Sequence, residues 1–357
     1  MELSIVVPVL NEAEELPALL MTLQHQQDVD FELILSDGGS KDGTTERAEE
    51  LAGRFRHPLK LVRGSAGRGC QLNRGAAAAG GEILLFLHVD SRFVGNMDLR
   101  RSLDALQKEQ ALCRGTPVAG HFRLRFADAP ESLLSAMTYW EIKARLHRFG
   151  CNHGDQGLMM ARSDFERLGR YPELPLFEDT LMAEKLKKQG RLTLLPVELY
   201  TSARRFATEG LRQRHTLNAI LMTCHQVGLD EFFLQARGHY RQQQESGRLA
   251  MTPFLQALDR VLDDLPGPRR RRIWLQAAAF VRTQAWQLLL ARRIKRGIWC
   301  LETDPGTIEA ALDRFDRIYD RLTDNRLGHF LALVLLHLWL ARQKRVWRRL
   351  DRARASH

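Results

Sequence analysis

A doubly wound, mostly parallel α/β sheet followed by an all-helical appendage is the fold class the sequence predicts. Three observations predict it. Short apolar, β-branched runs alternate with helical spacings through the first 245 residues. The links between them are short. Beyond about residue 245 the strand-like runs stop and basic, helical spacing takes over. Strand–helix alternation with short links is the pattern of a parallel sheet covered by helices.

Leu3–Val9 (LSIVVPV) reads as a strand buried on both faces. Glu12–Gln24 has helical spacing, with Leu16, Leu19, Leu20 and Leu23 on one stripe. Phe31–Ser36 (FELILS) is the second strand, closed by the turn Asp37-Gly38-Gly39-Ser40. Thr44–Arg54 reads as helix, Lys60–Val62 as a third strand, the Ala-rich Arg68–Ala79 as helix, and Glu82–Leu87 (EILLFL) as a fourth strand. Met251–Leu265 is helical up to a break at Pro266-Gly267-Pro268. Arg269-Arg270-Arg271-Arg272 opens an apolar, Trp-bearing segment to about Trp299, and Asp304-Pro305 starts a helix through Leu322.

The chain has 357 residues, 44% hydrophobic and 27% charged, which excludes a disordered chain and suits two domains. No repeat of 20–50 residues marks a solenoid. The net charge of +10 is uneven. Residues 246–357 hold 22 Lys and Arg against 11 Asp and Glu, a net of +11, whereas residues 1–245 hold 31 against 32. The expected domains are therefore 1–245, a near-neutral body, and 246–357, a basic helical domain. Five scattered cysteines without a CxxC pair suit reduced thiols. Met-Glu-Leu-Ser-Ile lacks a basic, cleavable leader, and no stretch reaches about 18 uncharged apolar residues. Cytoplasmic placement is the expectation.

In doubly wound sheets, ligands gather beyond the carboxyl ends of the strands. Polar residues occupy those ends here: Pro8, Asn11 and Glu12 after the first strand, Asp37 after the second, and His88-Val89-Asp90 after the fourth. Asp37 suits a hydrogen-bond acceptor for a nucleobase or ribose, or a plain turn aspartate. Asp90 suits an oxygen ligand for a hard divalent cation, or a cap or turn residue. His88 points the same way as Asp90 in extended backbone, and is either a structural residue or a ligand of a softer ion such as Mn²⁺. Gly64-Ser65-Ala66-Gly67-Arg68-Gly69 is neither a dinucleotide fingerprint nor a P-loop, and it follows the third strand.

Taken in order, five segments resemble the inverting family-2 glycosyltransferases of GT-A fold. Ser4-Ile5-Val6-Val7-Pro8-Val9-Leu10-Asn11-Glu12 resembles their opening strand. Asp37-Gly38-Gly39-Ser40-Lys41-Asp42-Gly43-Thr44 resembles their D-x-S-x-D-G-T turn with one extra glycine. Leu87-His88-Val89-Asp90-Ser91 occupies the place of their D-x-D metal motif, Phe177-Glu178-Asp179 that of the E-D before the catalytic helix, and Thr201-Ser202-Ala203-Arg204-Arg205-Phe206 that of Q-x-x-R-W. The resemblance runs from about residue 3 to residue 225. The doubled glycine, Gly67-Arg68-Gly69-Cys70-Gln71-Leu72-Asn73 and Gly154-Asp155-Gln156-Gly157 narrow it to a bacterial arsenosugar-biosynthesis-type subgroup. Two positions depart: His88 replaces the first D-x-D carboxylate, and Phe206 stands where Trp is usual.

The resemblance implies a nucleotide-sugar donor, UDP-linked, and a divalent metal, Mn²⁺ or Mg²⁺, at Asp90. It implies nucleotide contacts from Pro8, Asn11, Glu12, Asp37, Arg68, His88 and Val89. Asp179 is the implied general base, on a helix Asp179–Gln189 that follows Pro175-Leu176-Phe177, with Glu178 beside it in support. Arg204 and Arg205 would offset the charge of the leaving diphosphate. Read from the residues, the polar cluster His153, Gly154, Asp155 and Gln156 suits a donor or acceptor pocket, with Asp155 as sugar-hydroxyl partner, or equally a loop cap.

Gly328–Leu340 (GHFLALVLLHLWL) is the most apolar run of the basic domain, and Gln343–Arg349 is basic. It is either a buried bundle helix or an attachment to an anionic membrane surface, on the inner face, near a lipid-linked acceptor. Mixed acids in Asp313–Asp324 argue against nucleic acid. Two rivals stand beside the transferase. A nucleotidyltransferase would carry a Gly-rich, Lys-bearing loop directly after the first strand, where Pro8–Glu12 has none. A non-catalytic nucleotide-sugar or membrane-binding module would not need Asp90 and Asp179.

Overall fold

The computed structural model describes residues 1–174, 177–243 and 247–355. It divides into two compact units, Met1–Asp128 with Trp140–Ala203, and Ala129–Tyr139 with Arg204–His357. The boundary expected at 245/246 and the expected lead-in residues Pro175 and Leu176 lie outside the described residues.

The first unit is α/β. Its strands are β1 (Leu3–Val9), β2 (Phe31–Asp37), β3 (Leu59–Arg63), β4 (Ile83–Phe86), β5 (Val118–Ala127), β6 (Leu158–Ala161) and β7 (Arg191–Ser202). They form one sheet in the order β3-β2-β1-β4-β6-β5-β7. The four expected strands are its parallel half. β6 runs antiparallel to both β4 and β5, and β5 pairs parallel with β7. The sheet is thus mostly parallel, as the sequence predicts.

Helices α1 (Leu16–Gln24), α2 (Thr44–Ala52), α3 (Arg68–Ala78), α4 (Asp98–Leu112), α5 (Leu134–Lys143), α6 (Arg162–Arg167) and α7 (Glu178–Gln189) complete this part of the chain. Alternation along β1 explains the layering. Leu3, Ile5, Val7 and Val9 enter one core with Leu16, Leu19 and Leu23 of α1 and Leu99, Leu103 and Leu106 of α4. Val6 enters the other, with Leu72 and Ala76 of α3 and Met182, Ala183 and Leu186 of α7. Burial of each such side chain is worth about 1.5–3 kcal/mol, so a strand apolar on both sides must lie between helical layers.

The expected helix from Glu12 begins at Leu16 instead. The N–H groups of Asn11 and Ala13 are already taken by Ser40 and Asp42 of the loop after β2, that of Glu12 by Thr44 at the start of α2, and Pro17 sits in the first turn.

The second unit is helical: α8 (Arg204–Glu209), α9 (Leu211–Gln226), α10 (Glu231–Gln243), α11 (Thr252–Asp264), α12 (Gly267–Thr283), α13 (Trp286–Lys295), α14 (Pro305–Thr323) and α15 (Arg326–Ala355). The break at Pro266 is present, and Gly267-Pro268 already form the first turn of α12. The apolar, Trp-bearing segment from Arg269 to about Trp299 holds two helices, parted at Gln284 and Ala285. Asp304 caps α14 by accepting a hydrogen bond from the Thr307 N–H at 2.9 Å. All five cysteines are free.

Candidate active site

The ends of β1 and β2 are fastened together. Val9 lies opposite Asp37 in the parallel register. Asn11, at φ +57°, donates its N–H to Ser40 Oγ at 2.9 Å and accepts from the Lys41 N–H at 2.8 Å. Asp37 is buried, and its carboxylate accepts from the Gly39 N–H, the Ser40 N–H and the Ser40 hydroxyl. It therefore organises its own turn. Gln71, in the first turn of α3, donates to the carbonyls of Val9 and Ser36 at 2.9 and 2.8 Å, joining both strand ends to the helix.

A second set of residues surrounds the end of β4 and the start of α7. A cleft there is lined by Arg68, His88, His121, Asn152, His153 and Asp179 among others. Two contacts bring α3 to α7. A Cβ on Gly69 would stand 2.4 Å from the Pro172 carbonyl, so only glycine admits the close approach. Asn73 exchanges hydrogen bonds with the Tyr171 backbone at 2.9 and 3.0 Å. Arg68 consequently lies 3.5 Å from the buried Glu178.

Asp179 is half-buried at the head of α7. Oδ2 accepts from the Gly154 N–H at 2.6 Å, and Oδ1 from the Thr180 N–H at 2.6 Å and the Thr180 hydroxyl at 3.2 Å. His153 Nδ1 is 2.9 Å from that hydroxyl, and Nε2 is 3.2 Å from the Gly150 carbonyl. Gly154 marks where β4 meets α7: a Cβ on it would stand 2.7 Å from His88 Nε2 and 2.9 Å from Asp179 Oδ2.

The electrostatics separate three carboxyls. Burial pushes Asp179 up, but the His153 ring, Arg68 and the two backbone N–H groups outweigh it and hold Asp179 below the usual carboxylate range. Burial, then the neighbouring Asp179, pushes Glu178 up to about 7 against the pull of Arg68. Asp155 is raised by burial and by the Asp179 and Asp90 carboxylates. Its Oδ1 is buried without a hydrogen-bond partner. Asp90 accepts from the Thr201 hydroxyl at 3.0 Å. Among the described residues, no group of three His, Cys, Asp or Glu side chains is arranged to hold a metal. Asp90 with the unsatisfied Asp155 instead fits an ion that takes its remaining ligands from a substrate's phosphates, as Mg²⁺-type sites do.

The structure brings Arg68, His88, His153, Gly154 and Asp179 to one cleft, with Asp155 and Asp90 in the same electrostatic neighbourhood. Asp37 and Asp90 are outside the lining of that cleft. Pro8, Asn11 and Glu12 belong to the fastened β1 end. The Val89 side chain is in the core, and its carbonyl accepts from Arg92 at 2.7 Å. Gln156 is buried and spends its amide on Cys151 O and Asn152 Nδ2. Arg204 and Arg205 open α8 of the second unit, both exposed. Thr180, Gln71 and Thr201 carry contacts that the sequence reading did not assign. Thr201 and Gln71 had a cue, their places in the quoted Thr201–Phe206 and Gly67–Asn73 segments; Thr180 had none.

Residues 4–169 match the family model described as glycosyl transferase family 2. This segment therefore carries a glycosyl transferase family 2 domain. The PGL/p-HBAD biosynthesis glycosyltransferase of Mycobacterium bovis is 42% identical over 88 residues, 24% of this chain and 34% of that protein. The uncharacterized glycosyltransferase YfnE of Bacillus subtilis is 35% identical over 116 residues, 31% of this chain and 29% of that protein. The chain spans about a third of the length of these curated relatives. Among solved structures, S. aureus TarS 1–349 in complex with UDP-GlcNAc is 18% identical at a TM-score of 0.46, over 82% of this chain and 88% of that one. Mannosyltransferase PcManGT from Pyrobaculum calidifontis, in complex with GDP-Man and Mn²⁺, is 18% identical at 0.46, over 95% and 87%.

Proposed function

We propose that this protein transfers a sugar from a nucleotide-sugar to a hydroxyl acceptor with inversion, and that Asp179 is the general base. The observation that supports it most is the setting of Asp179. It is an ionised carboxylate at the head of α7, held by the Gly154 and Thr180 N–H groups, beside His88 in the cleft. Glu178, at about 7, matches a base better by proton affinity. It is, however, almost wholly buried, turned to Arg68 and outside the cleft lining. Geometry takes precedence over proton affinity in choosing a base.

The nucleotide is assigned to the edge formed by Pro8, Asn11, Glu12, Asp37, Arg68, His88 and Val89. A UDP-sugar, the GT-A arrangement and the arsenosugar-biosynthesis-type subgroup rest on the sequence motifs. Mn²⁺ or Mg²⁺ held by Asp90 and Asp155 would supply Lewis-acid charge to the leaving diphosphate. Arg68 would add fixed positive charge to the same oxygens, and that role for Arg204 and Arg205 rests on the sequence motif. His153 and Asp155 would orient sugar or acceptor hydroxyls. The basic helical region 246–357 is proposed to face an anionic membrane surface on the cytoplasmic side, near a lipid-linked acceptor.

The test is nucleoside-diphosphate release across a panel of sugar nucleotides with Mn²⁺ or Mg²⁺. Asp179→Asn is expected to lower turnover about 10²–10⁴-fold, the usual worth of a positioned base, with nucleotide binding retained by calorimetry. Undiminished turnover removes Asp179 from the role. Pyrophosphate release from a nucleoside triphosphate and a sugar phosphate would favour the nucleotidyltransferase instead.

A further inference from the structure

The described part of the second unit ends on the 30-residue helix α15. Leu327, Phe330, Leu331, Val334, Leu335 and Leu338 recur on it at spacings of three and four, and all are exposed. At 3.6 residues per turn they make one stripe. Leu327 and Leu335 keep 66% and 65% of their surface open. Monomeric surfaces rarely carry so continuous an apolar patch without a partner. No Asp, Glu, Lys or Arg interrupts residues 327–341. The same face then changes character, because Arg342, Arg345 and Arg349 continue the stripe at the same spacing and are exposed. The whole helix carries eight Lys and Arg against one Asp.

We propose that this face of α15 lies flat on an anionic phospholipid bilayer. The apolar half enters the headgroup–acyl boundary, and the arginines meet lipid phosphates. From Leu327 to Leu338 the stripe is about 17 Å long at 1.5 Å per residue, far short of the ~30 Å hydrocarbon core. No helix among the described residues is long and apolar enough to cross a membrane. The charge decides between a bilayer and a second copy of the chain. Parallel pairing of two such faces sets arginines against arginines; antiparallel pairing sets them against leucines. Both bury uncompensated cations, whereas an anionic lipid surface complements the basic half. The proposal rests on the membrane-facing part of the functional reading and is independent of the transfer chemistry.

The test uses the full chain, co-sedimented with vesicles of phosphatidylcholine alone or mixed with phosphatidylglycerol. Binding to the mixed vesicles is expected to be roughly tenfold tighter or more, and to weaken with salt. Leu331→Gln with Leu335→Gln should lower binding to both vesicle types. Arg345→Gln and Arg349→Gln should each lower binding only to anionic vesicles, by ~5-fold. Thermal melts check that these surface variants stay folded. Soluble nucleoside-diphosphate release should be unchanged in them, so loss of vesicle binding is separable from loss of transfer. Absence of binding to anionic vesicles, or equal binding of wild type and the leucine variant, overturns the proposal. So does a sedimenting dimer that the leucine changes dissociate without any vesicle binding, which would give this face to a second copy.

Discussion

Asp179 is tuned through Thr180, whose side chain is buried and outside the cleft lining. The run Gly150 carbonyl, His153, Thr180 hydroxyl, Asp179 Oδ1 has links of 3.2, 2.9 and 3.2 Å. A hydroxyl has a single hydrogen. If Thr180 donates it to Asp179, His153 Nδ1 must donate to Thr180. Thr180 thereby joins the His153 ring to the Asp179 carboxylate. Thr180→Val keeps the shape and removes both bonds. Transfer should fall about tenfold or more, because a hydrogen bond to a charged group is worth ~1.5–3 kcal/mol. The acidic limb of the pH–rate profile should move up, since Asp179 loses a donor that favours its charged form. Thr180→Ser should restore both, and an acidic limb that stays in place in Thr180→Val would refute the link. Asp179, His153 and Gly154 stood out in the sequence as a motif and a polar cluster. Thr180 did not, because threonine in a first helical turn is ordinary and its partner lies 27 residues away.

At the scale of elements, apolar runs made the parallel half of the sheet legible, polar interruptions concealed β5 and β7, and β6 is apolar but only four residues long. β5 carries Gly120, His121, Arg123 and Arg125, and β7 carries Pro196, so neither reads as a buried strand. One polar residue within the legible half also went unassigned. Glu32, inside β2, is wholly buried. It accepts from the Ser4 hydroxyl of β1 at 2.8 Å and the Gly80 N–H after α3 at 2.5 Å, and pairs with Lys60 of β3 at 2.7 Å. Burial alone would raise its pKa, yet these three partners bring it below the ordinary value. One carboxylate thus ties three strands and the turn into β4. Glu32→Ala should cost about 3–5 kcal/mol, the usual result of removing one partner from a buried charged network. Denaturant unfolding of the full chain measures it, and a loss below about 1 kcal/mol would show that the network contributes little.

For the whole molecule, the contrast between a near-neutral body and a basic helical region was legible in charge counts, whereas the passage of residues 129–139 into the second unit was not. That passage depends on contacts far apart in sequence, which composition does not encode. Two buried groups of the first unit are shifted far in opposite senses and contribute opposing slopes to its response to pH. Burial, Lys187 and His147 push His121 down from 6.5 to about 3. It stays neutral in the fold, so the stability it confers is lost as pH falls from about 6.5 towards 3. Glu178 is pushed up from 4.5 to about 7, so the folded chain holds a proton that the unfolded chain releases, and stability falls as pH rises through that window. Between pH 4.5 and 6.5 the two slopes oppose each other and largely cancel. Glu178→Gln removes only the second. Relative to wild type, its unfolding free energy should rise between pH 4.5 and 7 by about 3 kcal/mol, given 1.36 kcal/mol per unit of pKa shift. The variant should also become visibly acid-labile from pH 6.5 downward. Denaturant melts of the full-length wild type and variant at pH 5 and pH 8 test this, and a difference between the two proteins that does not change with pH would mean that Glu178 titrates in the fold as it does in the unfolded chain.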